Sequence, residues 1–212
     1  MKNVDHLIES ARELSERGFS RGEIADELNV SRETASWLVE RSERTTVATP
    51  DTESTAGPHD IHVDWSALGR DSARLTYTGQ AMADLLSKQG EAVDLTVGIE
   101  KAGAPLATVV AQELDTDIAA YAPRKHQWEE GDIEELEGTF SQNFADIRNR
   151  ECYVVDDTIT SGTTMRETID GITDRGGEPV ACVVLVDKQG IEEIAGVPVY
   201  SLIQAIRVGN SE

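Results

Sequence analysis

At 212 residues the chain holds one full α/β domain and a small appendage, not two large domains. No apolar run approaches bilayer-spanning length, and the start Met1-Lys2-Asn3-Val4-Asp5-His6 lacks a signal-peptide core, so a cytoplasmic protein without membrane association is expected. Asp and Glu outnumber Lys and Arg by 40 to 19, for a formal charge of −21. Acidity spread this evenly, with only five lysines against fourteen arginines, resembles that of halophilic cytosolic proteins, in which molar salt screens self-repulsion; an ordinary acidic mesophile protein is the alternative.

Residues 4 to 44 are helical in pattern, with apolar positions at Leu7, Ile8, Ala11, Leu14, then Ile24, Ala25, Leu28, then Ala35, Leu38, Val39. Residues 45 to 59 have no period and are rich in Thr, Ser, Pro and Gly, which reads as a linker. From residue 60 to 212 a larger domain follows. It opens on a helix from Gly79 to Lys88 and a strand Leu95–Ile99. A helix after Pro105, a short strand Ile118–Tyr121 and a strand Cys152–Val155 come next. A helix from Thr163 to about Arg175 and a strand Val180–Val186 complete the pattern. Near-continuous apolar strands alternating with helices predict a parallel sheet covered on both faces.

Cys152 and Cys182 each sit in an apolar, β-branched stretch. They read as two buried small hydrophobes in a reducing compartment, although a disulfide between them is geometrically allowed. No Cys/His grouping has structural-zinc spacing, and His59, Asp60, His62 and Asp64 read as a polar loop, so no protein-held metal is expected.

Ser20-Arg21-Gly22-Glu23 is a capping-box pattern opening a helix to Leu28. Asn29-Val30 makes a short turn, and Ser31 caps a further helix from Arg32 to about Arg41. Helices joined this tightly describe a helix-turn-helix, whose last helix presents its N-terminal residues to DNA bases. Here those are Ser31, Arg32, Glu33, Ser36 and Trp37. Seven basic against ten acidic residues in 1–44 leave no basic footprint, so a helical packing or dimerisation device stands as the alternative.

The run Val154-Val155-Asp156-Asp157-Thr158-Ile159-Thr160-Ser161-Gly162-Thr163-Thr164 carries the chemistry. Hydroxyls and N–H groups of Thr160, Ser161, Gly162, Thr163 and Thr164 at a helix start suit a 5′-phosphate. Asp156 and Asp157 suit vicinal ribose hydroxyls and the charge of an oxocarbenium-like sugar. Neither a P-loop nor a three-glycine dinucleotide fingerprint is present. A second strand–loop–helix, Val97 to Ala107, places Glu100, Lys101, Ala102 and Gly103 in a tight turn before Pro105.

These elements resemble type I phosphoribosyltransferases. The first run resembles their phosphoribosyl diphosphate (PRPP) signature, and Glu100 to Gly103 resembles the diphosphate loop of the orotate enzymes. Gly138–Phe144 and Val186–Gly190 are also similar, so the resemblance covers roughly residues 60 to 208. It implies a type I phosphoribosyltransferase-like parallel sheet flanked by helices, preceded by a small all-α helix-turn-helix domain. It also implies Mg²⁺ accompanying PRPP. One loop departs from the orotate-enzyme pattern Arg-Lys-x-x-Lys-x-His-Gly. Arg124 and Lys125 match, but Trp128 stands in place of the second Lys and Glu130 in place of the His. No catalytic residue is therefore assigned, although an active orotate or purine phosphoribosyltransferase with an accessory N-terminal domain remains the second reading.

Fusion to a helix-turn-helix is similar to the archaeal orotate phosphoribosyltransferase-like transcription regulators. That resemblance implies a homodimeric, DNA-binding regulator that responds to a phosphoribosyl effector. It further implies an activator of sugar-catabolism genes.

Overall fold

The computed structural model describes residues 4–45, 60–89, 92–123 and 138–205. Most of the expected linker, and the loop positions Arg124, Lys125, Trp128 and Glu130, lie outside the described residues. Two compact units are formed, with the division between Asp64 and Trp65.

The first unit is three helices, α1 Val4–Glu16, α2 Arg21–Leu28 and α3 Arg32–Thr45. Ser20 caps α2 through the reciprocal box. The Glu23 N–H donates to Ser20 Oγ at 3.3 Å, and the Ser20 N–H donates to the Glu23 carboxylate at 2.9 Å. Asn29 ends α2 in the left-handed conformation at φ 51°, which Asn tolerates better than most residues. The turn it makes is short enough for Ser31 to cap α3, its Oγ accepting the Thr34 N–H at 3.1 Å. Leu7, Ala11, Ile24, Ala25, Leu28, Val30, Ala35, Leu38 and Val39 close a common core. These are the apolar positions that the helical spacing puts on one face of each helix.

The second unit opens with α4 Ser66–Gly69 and α5 Ser72–Ser87, then β1 Leu95–Ile99, α6 Gly103–Leu114, β2 Asp117–Ala122 and β3 Thr139–Phe140. Next come β4 Glu151–Ile159, α7 Thr163–Asp174, β5 Glu178–Asp187, β6 Glu193–Ile194 and β7 Val197–Gln204. The strands order as β3-β2-β1-β4-β5-β7-β6. The central five are parallel, as the apolar runs predicted. The edge strands β3 and β6 are antiparallel, so the sheet is mixed. Each is two residues long, too short to carry a hydrophobic period.

Alternation along β4 shows why both faces must be covered. Cys152 and Val154 join α7 residues Met165, Ile169 and Ile172 in one core. Tyr153 and Val155 join Met82, Leu86, Leu106 and Val110 of α5 and α6 in the other. α5 starts seven residues before the expected Gly79, because Asp71 caps it, its carboxylate accepting the Arg74 N–H at 3.0 Å.

Candidate functional site

Connections decide where the site falls. β1 runs through α6 to β2 on one side, while β4, adjacent and parallel to β1, runs through α7 to β5 on the other. The carboxyl ends of two adjacent strands whose crossovers diverge are the place where open α/β sheets bind ligands. Register pairs Gly98 with Val155, so the loop after β1 comes level with Asp156 and Asp157.

Gly103 shows how close the two loops are. A Cβ there would lie 2.5 Å from the Val155 carbonyl oxygen and 2.8 Å from Asp156 Cα. Only glycine lets the start of α6 rest on the backbone of the acidic pair. The Glu100–Lys101 peptide is cis, and the Glu100 N–H still donates to the Tyr121 carbonyl at 2.8 Å. Lys101 is exposed, Ala102 half-buried and Gly103 buried. Of the four residues singled out in this loop, Gly103 is the one that rests directly on Asp156.

β4 continues to Ile159 rather than ending at Val155, so the acidic pair belongs to the strand. The Asp157 N–H donates to Asp156 Oδ1 at 2.8 Å. Strand alternation sends Asp157 to the face of Tyr153 and Val155, the face that α5 and α6 cover. There the Trp65 indole Nε1–H, at the start of α4, donates to Asp157 Oδ2 at 2.8 Å. The Thr158 hydroxyl donates to the same oxygen at 3.2 Å, and Asp157 is only 8% exposed.

Beyond β4 the chain passes Thr160 and the exposed Ser161 to Gly162, whose φ of 76° is the left-handed conformation glycine adopts without strain. Gly162 caps α7 without a side-chain hydrogen bond. A helix start so arranged offers its first-turn N–H groups, with the Ser161, Thr163 and Thr164 hydroxyls, to an anion. Ser161 Oγ and Thr163 Oγ1 are 3.0 Å apart. The neighbouring loop is rigidly held. Asp187, buried at the end of β5, accepts the N–H groups of Gln189, Gly190 and Ile191 at 2.8, 2.9 and 2.7 Å. Trp65 and Asp187 were missed as site residues by sequence reasoning. Asp187 had a signal in its place at a strand's end before Lys-Gln-Gly; Trp65 had none, being 92 residues from its partner.

Carboxylate oxygens are donors that suit Mg²⁺ when most of its shell comes from a diphosphate and water, so the acidic strand end is compatible with an ion carried by the ligand. Among the described residues no group of three or more His, Cys, Asp or Glu side chains is arranged to hold a metal alone. The two thiols, buried and free, lie on β4 and β5. Burial pushes the Cys152 thiol up to about 12 and raises Cys182 as well, so neither supplies a nucleophile.

In the first unit Arg32 and Glu33 are exposed and Ser31, Ser36 and Trp37 half-buried. Arg32, Glu33, Ser36 and Trp37 line one open concavity with Arg21 and Glu40, of about 440 Å³. The Arg41 guanidinium lies 5.2 Å over the Trp37 ring. Arg21 was not singled out from the sequence. It is the first residue of α2, and in a helix-turn-helix that helix crosses the phosphate backbone.

A parallel sheet with an acidic strand end and a hydroxyl-rich helix start at its switch point defines a phosphoribosyltransferase-type domain. The phosphoribosyl transferase domain family model matches residues 64–201. The fold is similar to that of orotate phosphoribosyltransferase from Mycobacterium tuberculosis, solved in complex with PRPP. That likeness has a TM-score of 0.54 and 18% identity, covering 67% of this chain and 80% of that one. Over nearly the whole chain the similarity is to transcriptional regulators. GfcR of Haloquadratum walsbyi is 73% identical over 98% of this chain and 95% of its own length. GfcR of Halorubrum lacusprofundi is 72% identical over 100% of both. The chain belongs to this haloarchaeal family of transcriptional regulators with a phosphoribosyltransferase domain. No helix among the described residues is long and apolar enough to cross a membrane.

Proposed function

We propose that this chain is a cytoplasmic, homodimeric DNA-binding regulator whose phosphoribosyltransferase-like domain senses PRPP or a related phosphorylated ribose, with Mg²⁺, to activate sugar-catabolism genes. The observation that carries the reading is one chain holding both a capped helix-turn-helix and, at the switch point of the sheet, a phosphate loop beside two carboxylates. In the effector site the first-turn N–H groups of α7 and the Ser161, Thr163 and Thr164 hydroxyls bind the 5′-phosphate. Asp156 and Asp157 take the ribose hydroxyls, and Lys101 faces the diphosphate, to which Mg²⁺ supplies charge neutralisation. Ser31, Arg32, Glu33, Ser36 and Trp37 face the major groove, with Arg21 on the phosphate backbone. A two-fold dimer presents two such helices to a two-fold operator.

Calorimetry with PRPP and Mg²⁺ in molar KCl tests the effector site. Binding to the wild type that weakens when Asp156 and Asp157 are both replaced by Asn supports it, whereas equal affinity in the two proteins refutes it. Footprinting in the same salt tests the rest, since a protein lacking 1–44 should protect no DNA.

A further inference from the structure

We propose that Trp65 couples occupancy of the phosphoribosyl site to the position of the DNA-reading helix, an inference that rests on the function proposed above. Six residues, Asp60 to Trp65, carry two sets of anchors, one in each compact unit.

At the start of this stretch the anchors belong to the first unit. Asp60 Oδ2 accepts the Ser31 N–H, and Asp60 Oδ1 accepts the N–H of Ile61 at 2.7 Å. The His62 ring Nδ1 lies 2.6 Å from the Leu28 carbonyl oxygen. Leu28 is the last residue of α2, and Ser31 precedes the first of α3. Asp60 and His62 therefore grip both sides of the turn that sets the angle between the two helices.

At its end the anchor belongs to the second unit. The Trp65 indole donates to Asp157 Oδ2 at 2.8 Å, and its ring rests on Gly69, where a Cβ would lie 2.5 Å from ring atom Cζ3. The absence of a side chain at Gly69 gives the indole its seat. Asp157 is one of the two carboxylates that the proposed function offers to the ligand, and Trp65 is the first residue of the second unit.

The physical basis is competition for one carboxylate. A hydroxyl or a cation arriving at Asp157 draws on the negative charge that holds the indole N–H, so ligand-bound and ligand-free states differ in how firmly Trp65 is held. Loosening Trp65 loosens the stretch whose other end holds Ser31 and Leu28. Linkage makes the effect reciprocal, so operator DNA shifts PRPP affinity by the same factor.

The test uses the full-length chain in molar KCl and the operator fragment found by footprinting. DNA affinity is measured without PRPP and with saturating PRPP and Mg²⁺, and the readout is the ratio of the two. Saturation keeps the ratio independent of any loss of PRPP affinity in a variant. Wild type should give a ratio on the order of ten-fold from unity. Trp65→Phe keeps an aromatic ring and removes the donor, and should bring the ratio to within about two-fold of unity. Asp60→Ala breaks the other anchor outside the effector site, and should collapse the ratio while leaving calorimetric PRPP affinity intact. A folded variant of either kind that keeps the wild-type ratio overturns the coupling. So does a wild type that binds PRPP at a ratio of one, which leaves the effector site standing. A wild type that binds no PRPP overturns both the proposed function and this inference.

Discussion

Gly103→Ala concentrates the argument for the effector site in one methyl group. The added Cβ would meet the Val155 carbonyl oxygen at 2.5 Å, Asp156 Cα at 2.8 Å and Asp156 Oδ1 at 3.0 Å. Two of these atoms are backbone of a central strand and cannot rotate away, so the start of α6 must lift from β4. Gly103 has no positive φ, so alanine's own conformation adds no strain and the cost is steric. Overpacking of this kind costs about 1–3 kcal/mol. Converted at roughly 2–4 °C per kcal/mol for a domain of this size, that lowers the melting temperature by about 2–12 °C. The displacement shifts the start of α6 and the loop before it against the acidic pair, and PRPP affinity should fall by about ten-fold or more, the factor that corresponds to roughly 1.4 kcal/mol. Gly79→Ala serves as the contrast. Its Cβ would meet Val109 side-chain atoms at 2.6 Å between α5 and α6, remote from the acidic pair. That variant should melt lower but bind PRPP as wild type does. Differential scanning calorimetry and isothermal titration in molar KCl measure both quantities. A Gly103→Ala protein with wild-type melting and wild-type affinity would refute the close approach of the two loops and the site built on it.

Three further outcomes are expected. Arg32→Ala should weaken operator binding by about 1–3 kcal/mol and relax specificity at one base position per half-site, as read by competition footprinting; uniform weakening across sequences would make Arg32 a phosphate contact instead. Purified protein in high salt should form orotidylate from orotate and PRPP far below one turnover per second, because Trp128 and Glu130 replace the Lys and His of the orotate-enzyme loop. A rate at or above that value, followed by diphosphate release, would establish an enzyme. The buried thiols set an alkaline limit. The Cys152 thiol is raised from 9.0 to about 12, so the unfolded chain loses its proton first. Stability from this group is complete below pH 9 and declines as pH rises toward 12, by the linkage between proton binding and folding. Cys152→Ala should flatten that decline in melting temperature, and a thiol reagent should modify neither cysteine until the protein unfolds.

Local chemistry accounts for what was legible in the sequence. The helix-turn-helix could be read because its caps are short-range. Ser20 and Glu23, Asn29, and Ser31 with Thr34 bond within three residues of themselves or bend the chain at their own position. The central strands could be read because burial on both faces demands continuous apolar runs, and the hydroxyl loop because its donors are consecutive at one helix start. Composition likewise fixed the dispersed negative charge. What tertiary structure alone decided depends on residues far apart in the chain. Strand order places the loop after β1 beside the acidic end of β4, and no spacing in the sequence specifies that neighbour. The role of Gly103 follows from that adjacency, since a glycine before a helix has many uses and only the nearness of Val155 selects one. Residues 60–62 read as the beginning of the larger domain, yet Asp60 and His62 bond back to Ser31 and Leu28 across about thirty residues. Trp65 is the plainest case. An indole N–H satisfies a nearly buried carboxylate 92 residues later, and a pairing of that range arises from packing rather than from any local pattern.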